Sequence, residues 1–171
     1  MSQRQYTVTD DIIASNGKRL ANVVIDYVVR MLLSLVLGLI LGVIALLTDN
    51  PQIVTYLEEI SPLHEFFIGI VIMLVYYNVF EILFSVTVGK MITKTIVVNH
   101  YGEKPDANTI LLRTICRIIP FEVFSFFGTP CVGWHDSLSK TYVVNKADLE
   151  AQKALFYSFE EIGNQPNDDH A

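Results

Sequence analysis

The chain has 171 residues, of which 51% are hydrophobic and 18% charged, with a mean hydropathy of +0.41 and a formal net charge of −6. That length holds no more than one domain of ordinary size, and the apolar excess goes beyond what a soluble domain needs to fill its core. The basic residues are too few and too dispersed to make a phosphate-binding face, which excludes nucleic-acid recognition.

Residues 1–18 open with MSQRQYTVTD and read as a polar N-terminal tail. No small-residue cleavage site follows the first apolar run, so that run is expected to persist as a signal-anchor rather than a cleaved signal peptide. It covers 20–47, with no charge across 31–47; a second run covers 63–88, with no charge across 66–80. About twenty residues cross a hydrocarbon core of ~30 Å, so both runs predict transmembrane helices.

The charges that interrupt these runs are patterned. Arg19, Asn22, Asp26 and Arg30 share one face of a helix, and Glu81 lies inside the second run. Ionisable groups at membrane depth normally face protein or water and are functional candidates. At ~1.5 Å per residue, Arg30 and Glu81 lie at similar depth on antiparallel neighbours, so the two are expected to pair, with Asp26 also reaching Arg30 at i+4. The plainer reading is interhelical glue, or an arginine snorkelling to the interface.

Between the runs, 48–65 holds Asp49, Glu58, Glu59 and Glu65 but no Lys or Arg. Lys18 and Arg19 precede the first run, and Lys90, Lys94, Lys104, Arg113 and Arg117 follow the second. The positive-inside bias therefore puts the N-terminus in the cytoplasm, the acidic loop outside and residues from 89 onward inside, in the cell (inner) membrane.

Lys94-Thr95-Ile96-Val97-Val98-Asn99 returns almost unchanged as Lys140-Thr141-Tyr142-Val143-Val144-Asn145. Each reads as a short strand with its stop, and pairing between them would satisfy both backbones; coincidence between apolar hexamers is the alternative. Tyr101-Gly102-Glu103 and Pro105 predict a turn. Asp106 or Asn108 can then cap a helix through about Phe127, with Arg113 and Arg117 on one face. Pro120, Glu122, Gly128 and Pro130 break the apolar stretch 118–134, which suits an interfacial or re-entrant helix better than a third span. Trp134 fits the headgroup level. Cys116 and Cys131 lack partner spacing and read as buried thiols without a disulfide. Residues 147–162 carry an amphipathic helix, and a polar tail follows. The whole is a mainly α membrane protein with a small cytoplasmic two-stranded β element, in three parts: the tail, a membrane domain over 19–145, and 146–171.

These pieces resemble the RDD family of small integral membrane proteins. Arg19-Leu20-Ala21-Asn22-Val23-Val24-Ile25-Asp26 is similar to that family's entry into its first helix. Thr87-Val88-Gly89-Lys90 resembles the Thr-x-Gly-Lys element that ends the second, and Trp134-His135-Asp136 the segment supplying a second aspartate. Arg113 and Arg117 fall where the family carries arginines, and Asn22 departs from the small apolar residue expected there. The likeness covers about 17–145. It implies a multi-helix membrane protein, some of whose relatives are associated with Na⁺/H⁺-type exchange and others with transport of further ligands.

Two functions follow as expectations. In a transporter or transport component, Asp26 would bind a cation or proton, Arg30 would tune it, and His135 with Asp136 would gate the site, while Arg19, Glu81, Lys90, Asn22, Arg113 and Arg117 complete the polar network. Two helices enclose no pathway alone, so a homo-oligomer or a partner membrane protein is implied. The alternative is a scaffold or accessory subunit that uses the polar stripe as an interface. No activated Ser or Cys, metal-spaced His pair, Walker loop or dinucleotide fingerprint is present, so neither an enzyme nor a metal or cofactor is expected.

Overall fold

A computed structural model describes residues 5–127 and 131–163. Gly128, Pro130 and the polar tail beyond 163 lie outside the described residues, as does the side chain of Ile162.

Helix α1, Asn16–Leu47, is 32 residues long, and α3, Pro62–Phe84, is 23. Both are long and apolar enough to cross a membrane. Between them lies α2, Pro51–Glu58, started by Pro51 and by Asn50, whose side chain accepts from Gln52 N at 3.0 Å. The long helices run antiparallel: Asp26 meets Tyr76, and farther along Leu37 shares an apolar cleft with Val71. Their apolar side chains stay exposed, Leu39 at 61% and Leu47 at 81%. A soluble protein would bury such surface in its core. Two helices of this kind fit a membrane protein.

The second helix stops at Phe84, short of the expected 88. Ser85 turns into the left-handed region (φ 58°), and its carbonyl accepts from Val97 N at 3.0 Å. Thr87 then caps a new helix, α4, Val88–Thr93. Lys94, again left-handed, turns the chain into β1, Thr95–Asn99.

Helix α5, Ala107–Cys116, is capped by Asp106 and ends eleven residues before the expected Phe127. Pro120 lacks a backbone donor and disfavours helical geometry at Ile119. The chain therefore leaves the helix, passes a left-handed Phe121 (φ 65°) and re-forms only as a 3₁₀ segment, Glu122–Phe127. The third apolar segment is thus two short pieces rather than one helix. Helix α6, Trp134–Ser139, strand β2, Thr141–Asn145, and α7, Lys146–Gly163, complete the fold.

The repeated hexapeptides do pair, antiparallel, with Thr95 opposite Asn145 and Val97 opposite Val143. Residues ahead of α1, expected as a tail, pack against this ribbon. Ile13 bridges to Val144, Ala14 N donates to Val143 O at 2.9 Å, and Tyr6 and Ile12 join Val98, Val144 and Leu149 in a small core. Gly102 sits in the turn after β1 at φ 69°, where a Cβ would also lie 2.9 Å from the Tyr6 ring. Cys116 and Cys131 are free thiols.

Candidate functional site

The polar face of α1 is buried where the long helices meet the small sheet. Asp26 accepts from the Tyr76 hydroxyl and the Thr87 hydroxyl at 2.7 Å each and from Gly89 N at 2.8 Å. One carboxylate thereby ties α1 to α3 and to the start of α4. The approach needs glycine: a Cβ on Gly89 would lie 2.6 Å from the Asn22 carbonyl oxygen. Asn22, the departure from the family pattern, donates to Thr95 Oγ1 at 3.1 Å and accepts from Thr93 Oγ1 at 2.6 Å. It clasps the corner where α4 becomes β1.

That corner occurs twice. Thr87 and Gly133 each precede a six-residue helix; Lys94 and Lys140 each end one at a positive φ; Thr95 and Thr141 each open a paired strand. The hydroxyls flanking each lysine touch in both copies, Thr93 to Thr95 at 3.0 Å and Ser139 to Thr141 at 2.8 Å. The register places Val97 opposite Val143, residues equivalent in the repeat, so the two units are related by a local two-fold axis. Equivalent third residues of the short helices are Lys90 and Asp136, of opposite sign, and each anchors one half of an ion network.

In the first half, Glu81 meets Lys90 Nζ at 2.6 Å, Arg113 Nε at 3.2 Å and Arg117 Nη2 at 3.3 Å. In the second, Asp136 binds Arg19 and Arg113, accepts from Gly133 N at 3.1 Å and lies 3.3 Å from His135 Nε2. Arg113 bridges the halves and also donates to Thr141 Oγ1 at 2.5 Å. Glu122 pairs with His135 Nδ1. The Arg117 guanidinium lies 4.1 Å from the centre of the Tyr77 ring. Glu81, Arg113 and Asp136 are fully buried. Arg19, Lys90, Arg113 and Arg117 balance Asp26, Glu81, Glu122 and Asp136, as burial of charge requires. A cavity of about 30 Å³, room for a water or two, sits among them, lined by Arg19, Asp26, Tyr77, Lys90, Arg113 and His135. Arg19 Nε and Nη2, Arg113 Nη2 and Arg117 Nε are buried without an acceptor among the described residues.

The electrostatics separate the groups. Burial pushes the Lys90 ammonium down to about 8, against the pull of Glu81. Burial also pushes His135 down to about 4, against the pull of Asp136 and Glu122 and with the help of Arg117 and Arg113, so at neutral pH the ring is neutral and donates its Nδ1 proton to Glu122. Burial alone would raise the Asp136 carboxyl, but Arg113, His135 and Arg19 hold it well below the carboxylate range. Lys90 is the member of the cluster poised near neutral pH.

Most of the residues singled out in the sequence converge here: Arg19, Asn22, Asp26, Glu81, Lys90, Arg113, Arg117, His135 and Asp136. Arg30 does not pair with Glu81. Its Nε donates to the Asp26 backbone oxygen at 3.3 Å, and its guanidinium stands 5.6 Å from the centre of the Tyr77 ring. The chain after Phe84 folds back and delivers Lys90, Arg113 and Arg117 to Glu81 in place of Arg30. Tyr76, Tyr77, Thr87, Gly89 and Glu122 were not foreseen as site members. Thr87 and Gly89 had a signal in the Thr-x-Gly-Lys element, and the tyrosines had only their position four and five residues before Glu81. Among the described residues, no group of three or more His, Cys, Asp or Glu is placed to hold a metal ion.

The sequence model of the RDD family matches residues 13–138, a stretch that contains every member of the cluster. Comparisons with curated proteins and with solved structures find no match.

Proposed function

The chain belongs to the RDD family, and on that footing we propose that it is an integral membrane protein that exchanges protons for a small monovalent cation, with the Lys90–Glu81 pair as the exchanging element. The observation that carries this reading is a buried lysine, 2.6 Å from a buried carboxylate and lowered to about 8, at the foot of two helices of membrane-crossing length. Around it the cluster is electrically balanced. Loss of the Lys90 proton leaves it one charge negative, and a small cation beside Glu81 restores neutrality; return of the proton expels the cation. Burial makes each uncompensated state costly, so the two events are coupled one for one.

Asp26 takes a different role from the one its position in the sequence implied. With three donors already bound, its carboxylate is a structural tie, and the exchanging carboxylate is Glu81. Two helices enclose no pathway by themselves. An open apolar cleft of about 310 Å³ between α1 and α3, lined by Leu33, Leu37, Val71, Val75 and Phe80, suits a helix from a second copy or from a partner membrane protein. The same cleft favours the second reading, an accessory subunit seated against a partner. We place the protein in the cell membrane with its N-terminus and charge cluster on the cytoplasmic side, because the loop joining the long helices carries no Lys or Arg.

Purified protein in sealed vesicles with an internal pH-sensitive dye tests the exchange. A pulse of sodium, lithium or potassium should move protons in the wild type and not in Lys90→Met or Glu81→Gln. Equal proton movement in wild type and Lys90→Met would remove the mechanism, and no movement in the wild type would favour the accessory reading.

A further inference from the structure

Arg30 is unlike the other arginines around the cluster: among the described residues no carboxylate pairs with it. Its guanidinium is held between the Tyr27 and Tyr77 rings, 5.8 and 5.6 Å from their centres. It faces a cleft of about 180 Å³ that adjoins the central cavity, with Tyr77, Arg117 and Glu122 lining both. Glu122 is turned to His135, and Arg117, already in contact with Glu81, keeps a buried Nε without an acceptor. The cleft therefore presents two guanidinium forks and one carboxylate that is already engaged.

We propose that this cleft binds a phosphate group, from a phospholipid headgroup or from free inorganic phosphate. Guanidinium forks match tetrahedral oxyanions in geometry and charge, and two from different elements can grip one such group from both sides. The cleft equals roughly six water molecules in volume, room enough for a phosphate group. Its place in the fold favours the lipid. The charge-free stretch of α1 begins at Met31, directly after Arg30, and the rim of the cleft carries Ile119, with Phe121 78% exposed. Basic pockets where helices leave the hydrocarbon are lipid-headgroup sites by the same physics. The lipid source rests on the membrane reading above; the free-phosphate source does not, and neither requires the Lys90–Glu81 exchange.

The full-length protein in a neutral detergent is titrated with dihexanoyl phosphatidylglycerol and, separately, with sodium phosphate, with binding read by calorimetry. Wild type should bind one equivalent of at least one of them, Arg30→Gln should bind at least tenfold more weakly, and Arg30→Lys should fall between. Binding of the lipid alone assigns the site to a headgroup; binding of both, or of phosphate alone, assigns it to the oxyanion. Arg30 makes one side-chain hydrogen bond, to a backbone carbonyl, and stands over two tyrosine rings, so the unliganded variants should fold and unfold only slightly below the wild-type temperature. Should Arg30→Gln fail to fold, the comparison of Arg30→Lys with wild type stands in its place. Absence of saturable binding of both ligands, or equal binding by the folded variants, overturns the proposal.

Discussion

Asp136 gathers groups from separate parts of the chain: Arg19 of α1, Arg113 of α5 and the backbone of Gly133. A fully buried carboxylate with two arginines contributes little net stability against an apolar replacement, yet removing only its charge leaves Arg19 buried without its carboxylate and Arg113 with Glu81 alone. Asp136→Asn should therefore cost about 3–5 kcal/mol, read from denaturant unfolding in detergent, whereas an exposed carboxylate such as Glu150 should be nearly silent when changed to Gln. His135 gives the site a pH dependence of definite sign. Its folded value of about 4 lies below the ordinary 6.5, so between those values the unfolded chain binds more protons. The contribution is intact above pH 6.5 and is lost as pH falls to 4, amounting to roughly 3 kcal/mol. Thermal unfolding from pH 7 to pH 4.5 should show a fall that His135→Gln flattens.

At the scale of elements, the organising unit is a capped six-residue helix, a left-handed lysine and a five-residue strand, used twice. The left-handed conformation costs a non-glycine residue about 1–2 kcal/mol, and glycine removes that cost at the expense of chain entropy. Lys94→Gly and Lys140→Gly should each stabilise the protein by up to about 1 kcal/mol, and by similar amounts, because the two positions are equivalent (φ 58° and 51°). Unequal effects, one stabilising and one disruptive, would show that the local two-fold axis does not extend to energetics. The repeat also explains why Lys90 and Asp136 hold equivalent places, the third residue of each short helix, and differ in charge sign.

Across the whole molecule, what was legible in the sequence followed from strong local constraints. Two long charge-poor runs have few alternatives to helices, and Lys94–Asn99 and Lys140–Asn145 are too alike and too β-branched for either to stay unpaired. Charges such as Asp26 and Glu81, embedded in apolar runs, had to end up inside something. Their partners were hidden, because Glu81 is met by residues up to 36 positions later and the return path depends on a left-handed Ser85 that no neighbouring residue announces. The packing of Tyr6 and Ile12 against the sheet was hidden for a different reason: a few apolar residues in a polar stretch carry no period. The helix expected through Phe127 ends at Cys116, because Pro120 has no backbone donor and disfavours helical geometry at the residue before it.

Proton–cation exchange requires that Lys90 be a proton site that a cation can displace. Nitrogen-15 NMR of lysine-labelled protein in detergent, with Lys90→Arg to assign the signal, follows that ammonium directly through pH 6–11. The midpoint should lie near 8 and move lower as the exchanging monovalent cation is added, because the cation binds the deprotonated cluster. A midpoint at the ordinary value of 10.5, or one indifferent to sodium, lithium and potassium alike, would contradict that exchange.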